Sequence, residues 1–485
     1  MWKRFALATV LVVALTAGAS ATAALLQVNS FASVVFPARN HLQLGNTVDY
    51  GPPGSAQTVL LVGSDKRPLA RSVDAKSPPH TDTMMLIRMD PAQGETSVLS
   101  IPRDLKVTID GPRGPTMQKI NAAYSIGGIR LALSTVKRVL GVRVNHVVDV
   151  NFKGFREAVD AVGCVYADVD RHYFNDNAGV AAFAGYATIN IQPGYQQLCG
   201  QQALDYVRFR HTDSDFVRVA RQQDFIRQFK EQVGVQGLLD KRNQLEHVAG
   251  DSIQTDIHGT AGTLDMLKLL AFSVGRPVRQ VHFQATPGPS FVTASDYGIR
   301  HTVHDFLSGG SAAGRTPPSP APVPVPSGRP RAHSHRSHSP GAPGLVAASR
   351  SNQDQAVTAT VGSPFTFYYP RLTPNTASQD QVRRYDLRDE QHQLHHAFRI
   401  VFSRGLVGEY YGLQGMDWPN PPILTHPSET MTVGGRRLEL YYDGRHLKLV
   451  AWRTPHSAYW VSNTLLEGLS NQQMLAIAES AAPPR

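Results

Sequence analysis

The stretch from Leu307 to Asn352 constrains this chain most: it runs PPSPAPVPVPSGRPRAHSHRSHSPGAPG at its centre and loses every apolar periodicity. Such a composition buries too little apolar surface to offset the conformational entropy lost on folding, so residues 307–352 are expected to be a disordered linker. No single fold spans that break. Two folded units are therefore expected, at residues 55–306 and 356–485. The prolines favour extended polyproline segments at ~3.1 Å per residue, which gives the linker a reach on the order of 100 Å. His333, His335 and His338 lie within it and read as solvated residues rather than metal ligands.

The N-terminus supplies a further element. Lys3 and Arg4 precede an uncharged apolar run from Phe5 to about Leu26, roughly the 20 residues that span a bilayer. Residues 1–28 are expected to be a membrane anchor with a cytoplasmic N-terminus, which places all later residues on the outer face. A signal peptide cut near Ala19-Ser20-Ala21 is the alternative, and it also exports the chain. The formal charge of +10 invites a nucleic-acid reading. Five of the arginines behind it, Arg315, Arg329, Arg331, Arg336 and Arg350, sit in the acid-free linker. Outside a cell the available polyanions are wall polymers and phospholipid head groups, so no nucleic-acid partner is expected.

Before the linker, short apolar runs alternate with amphipathic segments, the pattern of a layered α/β domain. Thr58–Val62, Thr83–Met89, Ser97–Ile101 and His146–Val150 read as strands. Ile129–Leu140, Phe152–Val162, Gln201–Val207 and Asp215–Val233 read as helices, the last with Ile226, Phe229 and Val233 on its buried side. After the linker, Arg437–Tyr442 and His446–Trp452 flank an Asp443-Gly444 turn signal. Tyr459–Val461 reads as a strand, and Ser470 with Gln473 forms a capping box for a helix over Asn471–Glu479. This second unit reads as a small α+β domain with no constellation of catalytic groups. Its aromatics Tyr410, Trp418, Trp452 and Trp460 are more readily core residues than sugar platforms.

Five segments of the first domain place polar residues where strands or helices end, which is where layered α/β folds hold ligands. They are Val62-Gly63-Ser64-Asp65-Lys66-Arg67, His80-Thr81-Asp82-Thr83, Ser100-Ile101-Pro102-Arg103-Asp104-Leu105, the run from Lys119 to Gly128, and the run from Tyr206 to Gln223. Two carboxylates at successive strand ends suit Mg²⁺, although each aspartate alone also fits a turn or cap. In an extended chain Arg208 and Arg210 point one way while Val207 and Phe209 face the core. Arg218 and Gln222 share a helix face, and Arg221 is expected to pair with Asp224 or to face solvent. Guanidinium forks suit phosphate or pyrophosphate; an Arg–Asp network through Asp213 and Asp215 is the structural alternative.

Read in order, GSDKR, HTDT, SIPRD, KINAAYSIGG and YVRFRHTDSDFVRVARQQ resemble the LytR-CpsA-Psr family of envelope proteins, over roughly Gln57 to Val233. The resemblance implies a three-layer α/β/α domain with a mixed central sheet. It also implies a phosphotransferase that moves a glycopolymer from a polyprenyl-pyrophosphate carrier to peptidoglycan hydroxyls outside the membrane, with Mg²⁺. Hydrolysis of the polyprenyl pyrophosphate and non-catalytic lipid-phosphate binding remain open. By the same resemblance Asp65 and Asp82 are the metal carboxylates, and Arg103, Lys119, Arg208, Arg210, Arg218 and Gln222 the pyrophosphate ligands. Arg103 also acts in catalysis, and Asp104 or Asp215 positions or deprotonates the attacking hydroxyl. His80 stands where the family often has arginine. Cys164 replaces a family glycine and Cys199 precedes the Arg208 segment; as the only two cysteines of an exported chain they are expected to form a disulfide.

Overall fold

A computed structural model describes residues 41–52, 54–65, 79, 81–179, 187–209, 213–241, 244–245, 248, 252–273, 278–308, 342–405 and 409–484. They fall into two compact units, one running to Leu307 and taking in Pro421–His426, the other comprising the remainder. The expected anchor over residues 1–28 lies outside the described residues, and among those residues no helix is long and apolar enough to cross a membrane. Most of the expected linker lies outside them as well. Its far end differs from expectation: Leu345–Ala347 pairs with Leu372–Pro374, and a helix covers Arg350–Thr360.

The first unit is built on a mixed sheet. β1 (Gln57–Ser64), β2 (Thr81–Asp90) and β3 (Glu95–Ser100) form an antiparallel meander. β4 (Lys106–Gly111) and β5 (Gly114–Lys119) make a separate hairpin. β6 (His146–Asn151) runs parallel to β1. β7 (Val165–Val169) pairs with β10 (Gly194–Leu198), and β8 (Tyr173–Asn175) with β9 (Ile189–Ile191). β11 (Ile253–Thr255) and β12 (Val278–Val281) complete the central sheet in the order β11-β6-β1-β2-β3-β12. The helices are α1 (Ala122–Leu140), α2 (Phe152–Ala161), α3 (Gly200–Arg208), α4 (Asp215–Asp240), α5 (Gly259–Ser273) and α6 (Asp296–Ser308).

β1 is apolar at successive positions because both faces are covered. Leu60 and Val62 join Leu133 and Val136 of α1 in one core. On the other face Val59 packs with Met266 and Leu269 of α5, and Leu61 lies with Met85 and Ile226 of α4. Each such side chain contributes about 1.5–3 kcal/mol on burial. The result is the three-layer α/β/α arrangement with a mixed central sheet. Within α1 the non-helical Gly127-Gly128 pair separates a short first helix from a longer one that runs to Leu140. Gly128 has φ +64° and ψ −162°, a conformation open only to glycine.

α4 bears out only part of the expected pattern, since Ile226 and Phe229 pack against apolar clusters while polar residues are buried more deeply. Ile226, Phe229 and Val233 are only half-buried, whereas Arg218, Arg221, Gln222, Gln223, Asp224 and Gln228 are buried. The cause is the edge of β7 that β10 leaves without a strand. Gln232 accepts from the Tyr166 N–H (2.8 Å) and donates to the Tyr166 carbonyl (2.7 Å), and Gln228 accepts from the Asp168 N–H (3.3 Å). Glutamine side chains on a helix thus satisfy a strand edge.

The second unit holds a seven-stranded antiparallel sheet with Ser378–Arg388 at one edge and Glu429–Val433 at the other. The Ser470–Gln473 capping box opens the helix Asn471–Ser480. Asp443 pairs with His446, so the hairpin loop is Gly444-Arg445, one residue later than the sequence suggests, with the left-handed backbone at Gly444. Trp452 and Trp460 are buried.

Candidate functional site

Asp82 is the hub of a chain of alternating charges at the ends of β2, β3, β5 and α3. One of its oxygens accepts from Arg103 Nη1 at 2.8 Å, and the other lies 3.4 Å from Arg208 Nε. Asp104 Oδ1 stands 3.7 Å from Arg103 Nε and 3.0 Å from Lys119 Nζ. Three cations thus enclose two carboxylates, and all five side chains are partly open to solvent. The backbone explains the convergence: Ile101 N donates to Met84 O and Asn121 N to Arg103 O, which ties the Pro102-Arg103 turn to β2 and to the start of α1. The Arg208 guanidinium lies 3.9 Å from the centre of the Phe152 ring, a cation–π contact.

Asp65 follows β1 directly, and its neighbourhood is anchored by Asp149. That carboxylate accepts from Tyr124 Oη (2.6 Å) and Ser64 Oγ (3.1 Å). Burial, then the Asp149 charge, raise the Tyr124 hydroxyl far above its ordinary pKa, and Asp65 adds to the shift. Asp205, one turn before Arg208, has its carboxyl raised by burial, against the Gln201 hydrogen bond and the Arg208 charge.

The arginine-rich segment divides. Arg208 is the last residue of α3 and Phe209 turns into the core, as the alternation predicted. Arg218 and Gln222 share one face of α4 and are buried, and Gln222 donates to the Val207 carbonyl at 3.0 Å. Arg221 corrects the expectation that it would meet Asp224 or solvent. It is fully buried, pairs with Asp213, donates to the Phe209 carbonyl and lies over the Tyr173 ring. Arg171 engages the other Asp213 oxygen, while Asp224 accepts from Arg227 (2.6 Å) and Gln228 (2.6 Å). The Arg–Asp network kept open as an alternative is therefore present through Asp213, and a helix N-cap bond from Val217 N to Ser214 Oγ follows it. Arg210, His80 and the side chain of Asp215 lie outside the described residues.

An apolar cavity of about 100 Å³ opens beside Arg208, between the sheet, α2 and α4. Leu61, Met85, Phe152 and Ile226 line it, with Arg208 and Gln222 among its polar members. Cys164 and Cys199 are joined in the structure, with Cα atoms 4.5 Å apart, beside the terminal Leu198–Val165 pair of β10 and β7. Cys164 has φ +69°, which is why a glycine suits that position. Cys199 caps α3, so the bridge braces the helix that ends in Arg208. Phe152, Asp149 and Asp205 escaped the sequence reading. A ring beneath a guanidinium far along the chain leaves no spacing signal, and Asp149 and Asp205 sit inside β6 and α3 rather than at their ends.

Residues 37–302 match the LytR_cpsA_psr family, more than half of the chain. A protein of Oceanobacillus iheyensis named polyisoprenyl-teichoic acid–peptidoglycan teichoic acid transferase TagU is 33% identical over 42% of this chain and 59% of its own length. Biofilm regulatory protein A of Streptococcus mutans is 28% identical over 44% of this chain and 53% of its own. The probable cell wall biosynthesis protein LcpB of Corynebacterium glutamicum is 36% identical over 34% and 39%. The chain spans between about two fifths and three fifths of the length of these relatives. With that match extending across the sheet, the charge chain and the cavity, this chain belongs to the LytR_cpsA_psr family.

Proposed function

We propose that this chain transfers a glycopolymer from a polyprenyl-pyrophosphate carrier to a peptidoglycan hydroxyl on the outer face of the membrane. The observation that carries the reading is the Arg103–Asp82–Arg208 cluster at the mouth of an apolar cavity. Guanidinium groups suit a pyrophosphate, and the cavity suits the first isoprene units of its lipid. Arg103 Nε faces Asp104 Oδ1 at 3.7 Å, beyond hydrogen-bond distance, so the ion pair leaves the guanidinium room to shift toward a phosphate oxygen.

The acceptor hydroxyl attacks phosphorus, the bond to the lipid phosphate breaks, and polyprenyl phosphate leaves with the bonding electrons. Arg103, Arg208 and Lys119 counter the charge that builds on the phosphoryl oxygens. Lys119 and Arg103 hold Asp104 beside them, where it orients the hydroxyl or takes its proton. Asp65 and Asp82 would be the hard oxygen donors for Mg²⁺, Asp82 sharing its two oxygens with Arg103 and Arg208. When bound, that ion neutralises further phosphoryl charge. An anchor at residues 1–28, as their apolar run leads us to infer, would keep the site near the lipid carrier.

The test uses the full chain in detergent with Mg²⁺, lipid-linked glycan and peptidoglycan. Arg103→Ala should lower transfer by about 10²–10³-fold with an unchanged circular dichroism spectrum. Undiminished transfer in that variant sinks the reading, as would full activity in excess EDTA for the metal. Release of glycan phosphate without peptidoglycan would favour hydrolysis. Lipid retention without turnover would favour a regulator, the class the S. mutans relative's name suggests.

A further inference from the structure

β6 carries an acid where its pattern calls for an apolar residue. Val147 and Asp149 point to the same face of the central sheet, and Val147 joins Leu60, Val62 and Leu133 in the core on that side. Asp149 is 4% exposed. Burying a carboxylate costs stability unless it is hydrogen-bonded, and an apolar side chain of similar volume would serve a core at least as well. An acid that breaks the local pattern beside a candidate site is expected to serve that site.

Its partners come from two other elements. Tyr124 Oη donates to one carboxylate oxygen at 2.6 Å, and Ser64 Oγ donates to the other at 3.1 Å. Ser64 is the last residue of β1, so its bond holds the strand end from which Asp65 leaves. Tyr124 lies in the first turn of α1. Its N–H donates to the Asn121 carbonyl, and the Asn121 N–H donates to the Arg103 carbonyl, which links the same carboxylate to the turn that carries Arg103. Asp149 itself stands three residues before Phe152, the ring beneath Arg208. One buried group therefore joins the elements that present Asp65, Arg103 and Arg208.

The bonds are of a kind that fixes direction as well as distance. A hydroxyl donating to a carboxylate makes a short, charge-assisted bond, whereas apolar packing leaves a strand end free to shift. Burial and then the Asp149 charge hold the Tyr124 hydroxyl above its ordinary pKa, so it stays a donor. Asp65 adds to that rise, which puts its carboxylate within electrostatic reach of the pair.

We propose that Asp149, through Ser64 and Tyr124, is a positioning residue of the candidate site: it holds the end of β1 so that Asp65 is presented to a Mg²⁺-pyrophosphate ligand. The inference rests on the reading of Asp65 as a metal carboxylate. The test is calorimetry of geranyl pyrophosphate binding to the full chain in Mg²⁺, with urea titration of every variant. Asp149→Asn keeps the shape and removes the charge. Tyr124→Phe removes one donor and leaves the ring in the core, so it carries the test should Asp149→Asn fold poorly. Asp149→Asn should weaken binding about tenfold and Tyr124→Phe about three- to tenfold. In an Asp65→Ala background each should change affinity by less than about twofold, because a residue that acts through Asp65 then has nothing to position. A role in folding alone would lower the urea midpoint equally in both backgrounds and leave affinity untouched. Affinity within about twofold of the parent in both variants overturns the proposal, as does an equal loss with and without Asp65. Binding that Asp65→Ala leaves intact overturns the metal role of Asp65 and this proposal with it, while Arg103→Ala still reports on the pyrophosphate site separately.

Discussion

Replacing Asp213 by asparagine should destabilise the first unit by about 3–5 kcal/mol, the cost of breaking a buried ion pair from one side. The carboxylate is wholly buried and accepts from Arg171 and Arg221, themselves 10% and 0% exposed. Burial disfavours the Arg221 charge, and Tyr173 and Asp213 more than offset it, so its pKa is raised. Asparagine keeps the shape but removes the charge and turns an N–H group toward a guanidinium. Asp170, whose charge also acts on Arg171 and Arg221, is a poor substitute because burial raises its pKa and its oxygen already accepts from Tyr173 Oη at 2.6 Å. For a unit of this size each kcal/mol is worth about 2–4 °C, so the midpoint should fall by roughly 6–20 °C. Urea titration and calorimetry of the full chain read the change. The double variant Asp213→Leu with Arg221→Met should be more stable than the sum of its singles, since it removes one of the two charges that Asp213 compensates, Arg171 being the other. An Asp213→Asn protein within about 1 kcal/mol of the parent would refute the account of a charged, load-carrying pair.

The disulfide closes a separation of 35 residues, which the chain-entropy relation equates to about 4 kcal/mol. Cys164→Ala with Cys199→Ala should lose that amount in urea titration. Cys164→Gly in place of Cys164→Ala should recover about 1 kcal/mol by relieving the positive φ. Stability untouched by reductant would show that no bridge forms. Lys230 has its pKa lowered to about 8 by burial, against the Glu231 charge. The penalty for its charge is therefore present below pH 8 and fades as pH rises to its unfolded value of 10.5. Lys230→Met should gain up to about 3 kcal/mol at pH 7 and progressively less towards pH 10; equal stabilities at pH 7 would contradict this. Phe152→Leu removes the ring beneath Arg208 and should weaken geranyl pyrophosphate binding by about 2- to 30-fold in calorimetry, whereas unchanged affinity would show the contact to be idle.

β1, β2, β3 and β6 are legible in the sequence because strands covered on both faces are apolar at successive positions and stop at polar residues. The same punctuation exposes Asp82, Arg103, Asp104, Lys119 and Arg208, each at or beside the end of an element. What sequence spacing cannot carry is which charges meet. Asp82 reads as a metal ligand and Arg103 and Arg208 as substrate ligands, yet the fold hands both arginines to that one carboxylate.

α4 shows why periodicity fails there. A hydrophobic stripe predicts the inward face of a helix only where apolar atoms wait on the other side, and beside the apolar contacts of Phe225 and Ile226 the neighbours here include a strand edge and a buried aspartate. Gln228 and Gln232 turn inward because β7 offers N–H and C=O groups that must be satisfied. Arg221 turns inward because Asp213 is there to neutralise it. The arginines of this run therefore divide: Arg221, expected at Asp224 or in solvent, holds the Phe209 carbonyl and Asp213 from within, and Arg208 stands at the cavity mouth. Arg221 binds the Phe209 carbonyl and Asp213, so loss of geranyl pyrophosphate binding in Arg221→Met with Arg208 intact would show that this buried pairing positions the site.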